Sequence, residues 1–420
     1  MTPLVVTTVE IDDPGPLLDL VPEVAVAAAG GRGAVAWIRD GDCFVGWGEA
    51  ARLDAGVGDD RFARAEGWWR QLVAEARVSD PIAAPGSGPV AFASLTFDAR
   101  SAGSVVVVPA VLVARREGRS WVTVAGRGSA PVVPDLAVQP PPRSTERIRY
   151  AGSSMPDLHW LEAVATAVER IRAGALDKVV LARDHAVWAR EPFDARVLLQ
   201  RLAQRFPDCF TFLCDGLVGA TPELLVRRLG RRVESIVLAG SARREAEAAA
   251  DADVGAALLA SAKDRSEHEM AAASVAEVLT PRCEELAVDE EPWLLRLANV
   301  QHLATRFRGE LRATDGRVAS AFALVAALHP TAAVGGTPTA AAVALIRELE
   351  GMDRGRYAGP VGWVDARGDG EFGIALRCAE LSGARARLFA GSGIVAASLP
   401  EAELEETRLK LRAMQSAFEG

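Results

Sequence analysis

The chain is poor in lysine. Of its 420 residues 47 are Lys or Arg, and only Lys178, Lys263 and Lys410 are lysine. An arginine bias this broad reads as a background preference. The three lysines therefore mark places where an ammonium can do what a guanidinium cannot, such as lose a proton. Cysteine is sparse as well: Cys43, Cys209, Cys214, Cys283 and Cys378 show neither CxxC spacing nor clustering with histidine. That pattern argues against a structural zinc site and fits a reducing compartment. No block of basic residues occurs and the net charge is -9. This argues against nucleic acid as the main partner, while a local anion site stays open. No apolar run is long enough to span a membrane. Met1 to Val21 carries Glu10, Asp12, Asp13 and Asp19 and lacks the basic start and apolar core of a secretory signal. The expectation is a cytoplasmic protein with no membrane partner. Neither a GxGxxG opening a helix nor a GxxxxGK[ST] loop is present.

What is there begins with a hydrophobic content of 50%, enough for a large core. Residues 1–145 read as a sheet-rich portion of one compact fold. Strands are predicted over Leu4 to Ile11 and Ala91 to Phe97. Hairpins are predicted from Ala34 to Glu49 and from Val105 to Ala125, the latter with Val105 to Arg116 as one arm. Asp60 to Ala76 reads as a helix, and the tryptophans of this region as packing. Pro140 to Pro142 lies in an irregular connection to residues 146–420, where the chemistry collects.

There, Lys178 to Arg183 reads as a buried strand that begins with a lysine, whose ammonium must reach water or be used. Pro222 is expected to start a short helix carrying Glu223 in its first turn. A strand ending at Leu238 runs into Ala239, Gly240 and Ser241, small residues that let a ligand approach the backbone. Asp264 and Glu267 are spaced i,i+3 on a helix, so their carboxylates share a side, with His268 facing elsewhere. Glu403, Glu406 and Lys410 share a face of the helix opened by Pro400. Two such carboxylate pairs suit a hard divalent cation that keeps several waters. His302, Tyr357 and Arg377 follow on predicted strands and turns, Arg377 near the end of a strand from Glu371 to Cys378. Gly391 and Gly393 close the next strand with exposed amides.

These residues, in this order, resemble the chorismate-utilising enzymes related to anthranilate synthase component I, and within them the isochorismate synthases. The resemblance runs from Lys178–Arg183 through Thr221–Leu225, Leu238–Arg244, Lys263–His268 and His302–Leu303. It continues through Arg356–Pro360, Ala375–Arg377, Gly391–Ile394 and Glu406–Lys410, covering most of Met155 to Gly420. It implies an α+β fold of large antiparallel sheets flanked by helices, with an active-site cleft between the layers. It also implies Mg²⁺-dependent conversion of chorismate to isochorismate, which would feed menaquinone or siderophore biosynthesis. Glu267 and Glu406 would be the main Mg²⁺ ligands, with Asp264 and Glu403 in the next shell. Lys410 would suit the substrate's charge. Arg377 and Tyr357, with the amides near Gly391 and Gly393, would grip the enolpyruvyl carboxylate. Gly240 and Ser241 would line the substrate site, and His302 would orient the substrate.

The same resemblance gives Lys178 and Glu223 opposite jobs. Lys178 would be the general base for water attacking C2. Glu223 would be the general acid that protonates the departing C4 hydroxyl. The first must be neutral when it acts and the second must keep its proton at neutral pH. Anthranilate synthases usually carry glutamine where Lys178 stands, and aminodeoxychorismate synthases a nucleophilic lysine where Ala239 stands; both differences favour water as the nucleophile. Salicylate synthases, which go on to eliminate pyruvate, usually have threonine where Ser241 stands and are the nearest rival. A non-catalytic chorismate-binding protein would need no opposed acid and base. Ala332 and Cys378 depart from the usual proline and serine. Water as nucleophile implies no glutaminase subunit, and a monomer is expected.

Overall fold

The computed structural model describes residues 2–27, 33–129 and 131–419. Two large sheets, of 13 and 10 strands among the described residues, lie face to face. Neither belongs to one half of the sequence. In the larger sheet Phe210–Cys214 pairs with Ala34–Arg39, and in the smaller Pro360–Asp365 pairs with Val90–Ser94. The pairings are antiparallel, apart from Leu4–Ile11 beside Arg77–Ser79.

Side-chain alternation makes the larger sheet apolar on both faces. Phe210 and Phe212 point into the core shared with the smaller sheet, along with Trp37, Phe44 and Trp121. Their neighbours Leu213, Ala36, Val45 and Val122 point the other way, into a second core shared with helices Ala195–Arg205 and Pro400–Glu419. The region's tryptophans are packing residues, as read: Trp37, Trp69 and Trp121 are buried and Trp68 packs against the same core.

The feature that builds a site is a ribbon that changes sheets. Leu217–Thr221 belongs to the larger sheet and Leu224–Leu229 to the smaller, with only Pro222 and Glu223 between them. Returning alongside, Gly370–Ile374 lies in the smaller sheet and Cys378–Ser382 in the larger. Gly219 pairs with Cys378 and Leu224 with Gly373, so the two crossings run side by side. The short helix expected at Pro222 does not form. The chain here leaves one ladder and joins another within two residues, and proline, lacking an N–H, suits a position with no ladder partner. Likewise the strand expected from Glu371 to Cys378 is two strands, broken at Ala375, Leu376 and Arg377. Val105 to Arg116 is not one hairpin arm either. It divides at Pro109 and Ala110 into Val105–Val108 of the smaller sheet and Val111–Arg116 of the larger.

Candidate active site

Both crossings open onto a cavity whose empty space, counted out to its mouth, is about 770 Å³. Its walls come from the ends of both sheets and from the helices carrying Glu267 and Glu406.

The crossing places Glu223 in this wall, buried, with its backbone N–H donating to Thr221 Oγ1 at 3.3 Å. Burial raises its carboxyl to about 8 against the opposing pull of Lys178 and Lys410. At neutral pH the group therefore carries a proton to give.

Arg377, in the returning crossing, adopts φ 44°, a conformation that costs an L-residue energy and recurs at functional sites. It is buried, and one guanidinium nitrogen donates to His302 Nε2 at 2.7 Å. The other terminal nitrogen, NH1, finds no partner among the described residues. A buried cation with a free donor in a cavity wall fits a carboxylate ligand. His302 is held neutral: burial, then Arg377 and Lys410, push its imidazole well below the usual range. With Nε2 accepting from Arg377, the ring proton sits on Nδ1, 2.9 Å from Ser241 Oγ. Ser241 faces His302 because the ladder slips by one residue at Gly240, a bulge with φ 74° in which Asp264 Cβ would stand 3.1 Å from an added Cβ. Tyr357 stacks on Phe389 at 5.0 Å, and burial pushes its phenol up, leaving it a protonated donor.

Opposite lies the lysine strand, now Lys178–Trp188, paired with Arg385–Ile394. Val180 donates its N–H to Gly335 and Ala182 its own to Glu350, so neither points at its ladder partner, Gly393 or Gly391. In such a pair both residues turn their backbone groups away from each other, which frees the two glycine amides from this ladder. Lys410 donates to the Gly391 carbonyl at 3.0 Å. Lys178 is fully buried with Nζ 3.1 Å from Glu267 Oε1, yet that nitrogen makes no well-directed hydrogen bond. Glu267 reaches this place because residue 393 has no side chain: an added Cβ would lie 2.0 Å from its Oε1.

The carboxylates expected to hold a metal divide into two groups. Glu267 and Glu406 line the cavity, whereas Asp264 and Glu403 stand behind its wall. Asp264 accepts from Ser261, the cap of its own helix, and Glu403 accepts from Lys263 at 2.8 Å. Glu406, 2.6 Å from Lys410, has its carboxyl raised by burial and by Glu403 and Glu267, with Lys410 opposing. Among the described residues no three acidic, His or Cys side chains converge closely enough to hold an ion as they stand. The oxygen donors and their mutual repulsion nevertheless fit a hard divalent cation, which would relieve that repulsion. Lys178 also lies outside the lining itself, separated from the space by Glu267 and Gly393. His268 faces elsewhere, as spacing predicted. It is bonded to Thr305 at 2.7 Å and lowered to about 4 by burial.

Sequence reading missed Glu350 and Arg354. These buried residues bond to each other, Glu350 also accepts from the Ala182 N–H, and Arg354 also donates to the Val180 carbonyl at 2.6 Å. Together they brace the lysine strand, and Arg354 is also part of the cavity lining. Their i,i+4 spacing was the only signal, and it is common on exposed helices.

The family model for chorismate binding enzymes matches residues 36–419. The chain belongs to that family. Among its relatives, isochorismate synthases stand out. A Mycobacterium tuberculosis protein provisionally named an isochorismate synthase is 40% identical over 364 residues, covering 83% of this chain and 91% of that one. The salicylate biosynthesis isochorismate synthase of Pseudomonas aeruginosa is 36% identical over 412 residues, covering 91% of this chain and 84% of that one. Among solved structures, the menaquinone-specific isochorismate synthase of Escherichia coli superposes with a TM-score of 0.80 over 100% of this chain and 95% of its own. At 24% identity that likeness speaks for the fold, the α+β sheet architecture expected from the sequence.

Proposed function

We propose that this chain converts chorismate to isochorismate, with Glu223 as general acid and Lys178 as general base. The observation that carries the assignment is Glu223: a buried carboxyl held protonated to about pH 8 in the wall of a cavity that also presents a free guanidinium donor. Water would attack C2 and pass a proton to Lys178, which stands behind Glu267 and Gly393 and would be reached through one intervening water or once Glu267 turns toward the ion. The ring double bonds shift, and Glu223 protonates the C4 hydroxyl, which leaves as water. One proton is taken up and one given, so the overall change is an isomerisation.

Arg377, steered by His302, and Tyr357 would bind the enolpyruvyl carboxylate together with the amides of Gly391 and Gly393. Gly240 and Ser241 form the adjoining wall. Lys410 and a Mg²⁺ ion held by Glu267 and Glu406, with Asp264 and Glu403 supporting, would take the ring carboxylate. The ion would supply charge neutralisation at that carboxylate; positioning and proton transfer are left to the side chains. The substrate is a small dianion, with no nucleic-acid, membrane or glutaminase partner. No described helix is long and apolar enough to cross a membrane. We further read the protein as a cytoplasmic monomer. The test is turnover of chorismate by the purified chain with Mg²⁺ and no ammonia source, in wild type and in Glu223→Gln. Isochorismate from the first and almost none from the second supports the assignment. Undiminished turnover by the variant removes Glu223 from the role.

A further inference from the structure

Every lysine of the chain is paired with a glutamate of this one site. Lys178 meets Glu267 at 3.1 Å, Lys410 meets Glu406 at 2.6 Å and Lys263 meets Glu403 at 2.8 Å. Lys178 and Lys410 have tasks toward the substrate. Lys263 has none, and it stands on the helix Ala262–Leu279, reaching across to Glu403 on Pro400–Glu419. Glu403 is almost wholly buried, and both its oxygens are engaged: one accepts from Lys263, the other from Ser392 Oγ at 2.5 Å. Lys263 also lies within the electrostatic reach of Glu267 and Glu406.

We propose that Lys263 is a built-in counter-cation that sets the affinity of the carboxylate site for its divalent ion. It does so in two ways. It occupies Glu403, keeping that carboxylate out of direct competition for the ion, and its fixed positive charge opposes a second cation among the same acids. The site would thus bind its metal more weakly than four acidic side chains could. This inference rests on the divalent-cation reading above.

A lysine serving only as a brace between two helices would change stability when removed and leave ion affinity alone. The measurement is Mn²⁺ binding to the full chain, followed by the loss of the free aquo-ion's paramagnetic resonance signal. Lys263→Met should tighten Mn²⁺ binding by about tenfold. Lys263→Arg, which keeps the charge, should stay within a few-fold of wild type. Should Lys263→Met fail to fold because Glu403 is left unpaired, Glu403→Gln serves instead. It leaves the Lys263 charge uncompensated and also removes a supporting carboxylate, so binding should weaken by about tenfold. The deciding comparison is Lys263→Met with Glu403→Gln, which should recover most of that loss, whereas a double variant as weak as Glu403→Gln alone overturns the role of Lys263. Unchanged affinity in the single variants, with wild type binding normally, overturns the role of Lys263. No Mn²⁺ binding by wild type overturns the metal reading itself, and the inference with it.

Discussion

At the scale of single residues, Glu223 joins the chemistry to measurable pH effects. Its carboxyl is held near 8 by burial, and the ordinary value in an exposed chain is 4.5. As pH rises through about 8 the proton that the proposed general acid would give is lost, so kcat should fall along that limb. Glu223→Gln should lower kcat by at least about 100-fold at every pH. The same shift has a thermodynamic sign. Between about 4.5 and 8 the folded chain holds a proton that the unfolded chain has released, so stability drops as pH rises through that window. Removing the charge should therefore make Glu223→Gln more stable than wild type at pH 9, by up to about 5 kcal/mol and with a higher melting temperature, and change little at pH 4. A loss of activity accompanied by a loss of stability would mean instead that the glutamate is structural. Arg377→Lys makes a separate test of the carboxylate grip. It keeps the charge but loses the fork and the His302 contact, and should raise KM by about tenfold or more, read from steady-state kinetics.

The next scale is that of elements, where short breaks in strands do the positioning. Lysine scarcity, the paired carboxylates and the ordered motifs were legible in the sequence, and so were most helices and hairpins. What was hidden was the ribbon crossing. Thr221 to Leu224 and Ile374 to Cys378 look locally like a helix start and a continuous strand, because nothing in a short window tells which sheet a strand will join. Only the long-range pairing of Gly219 with Cys378 and Leu224 with Gly373 shows both segments changing layers and pointing Glu223 and Arg377 inward. Gly391 and Gly393 were read as closing a strand. They lie within Arg385–Ile394, and it is the ladder geometry with Val180 and Ala182 that frees their amides. Gly393→Ala is the sharp test of that packing. A methyl group cannot coexist with Glu267 where it stands, so divalent-ion affinity and kcat should both fall while the fold survives. At the same strand, Arg354→Met would leave Glu350 buried without its counter-charge. It should cost about 3–5 kcal/mol, measurable as a shift of the denaturant midpoint.

For the whole molecule, the two sheets run through both portions of the sequence, so residues 146–420 are not expected to stand alone. Without residues 1–145 the strands Phe210–Cys214 and Pro360–Asp365 would each lose a neighbour and present an open edge in what is now core. Expressed separately, 146–420 should aggregate or lack a cooperative unfolding transition, and a well-folded, active fragment would contradict this. The dianionic substrate must also approach a protein of net charge -9. Under the proposed reading its capture would depend on the few cations gathered at the cavity, Arg377 and Lys410 foremost. The most direct measurement for the molecule as a whole is the product spectrum from chorismate with Mg²⁺ and no ammonia source, resolving isochorismate, salicylate and pyruvate. Isochorismate without matching pyruvate is the predicted result. Salicylate with stoichiometric pyruvate, or no conversion at all, would contradict it.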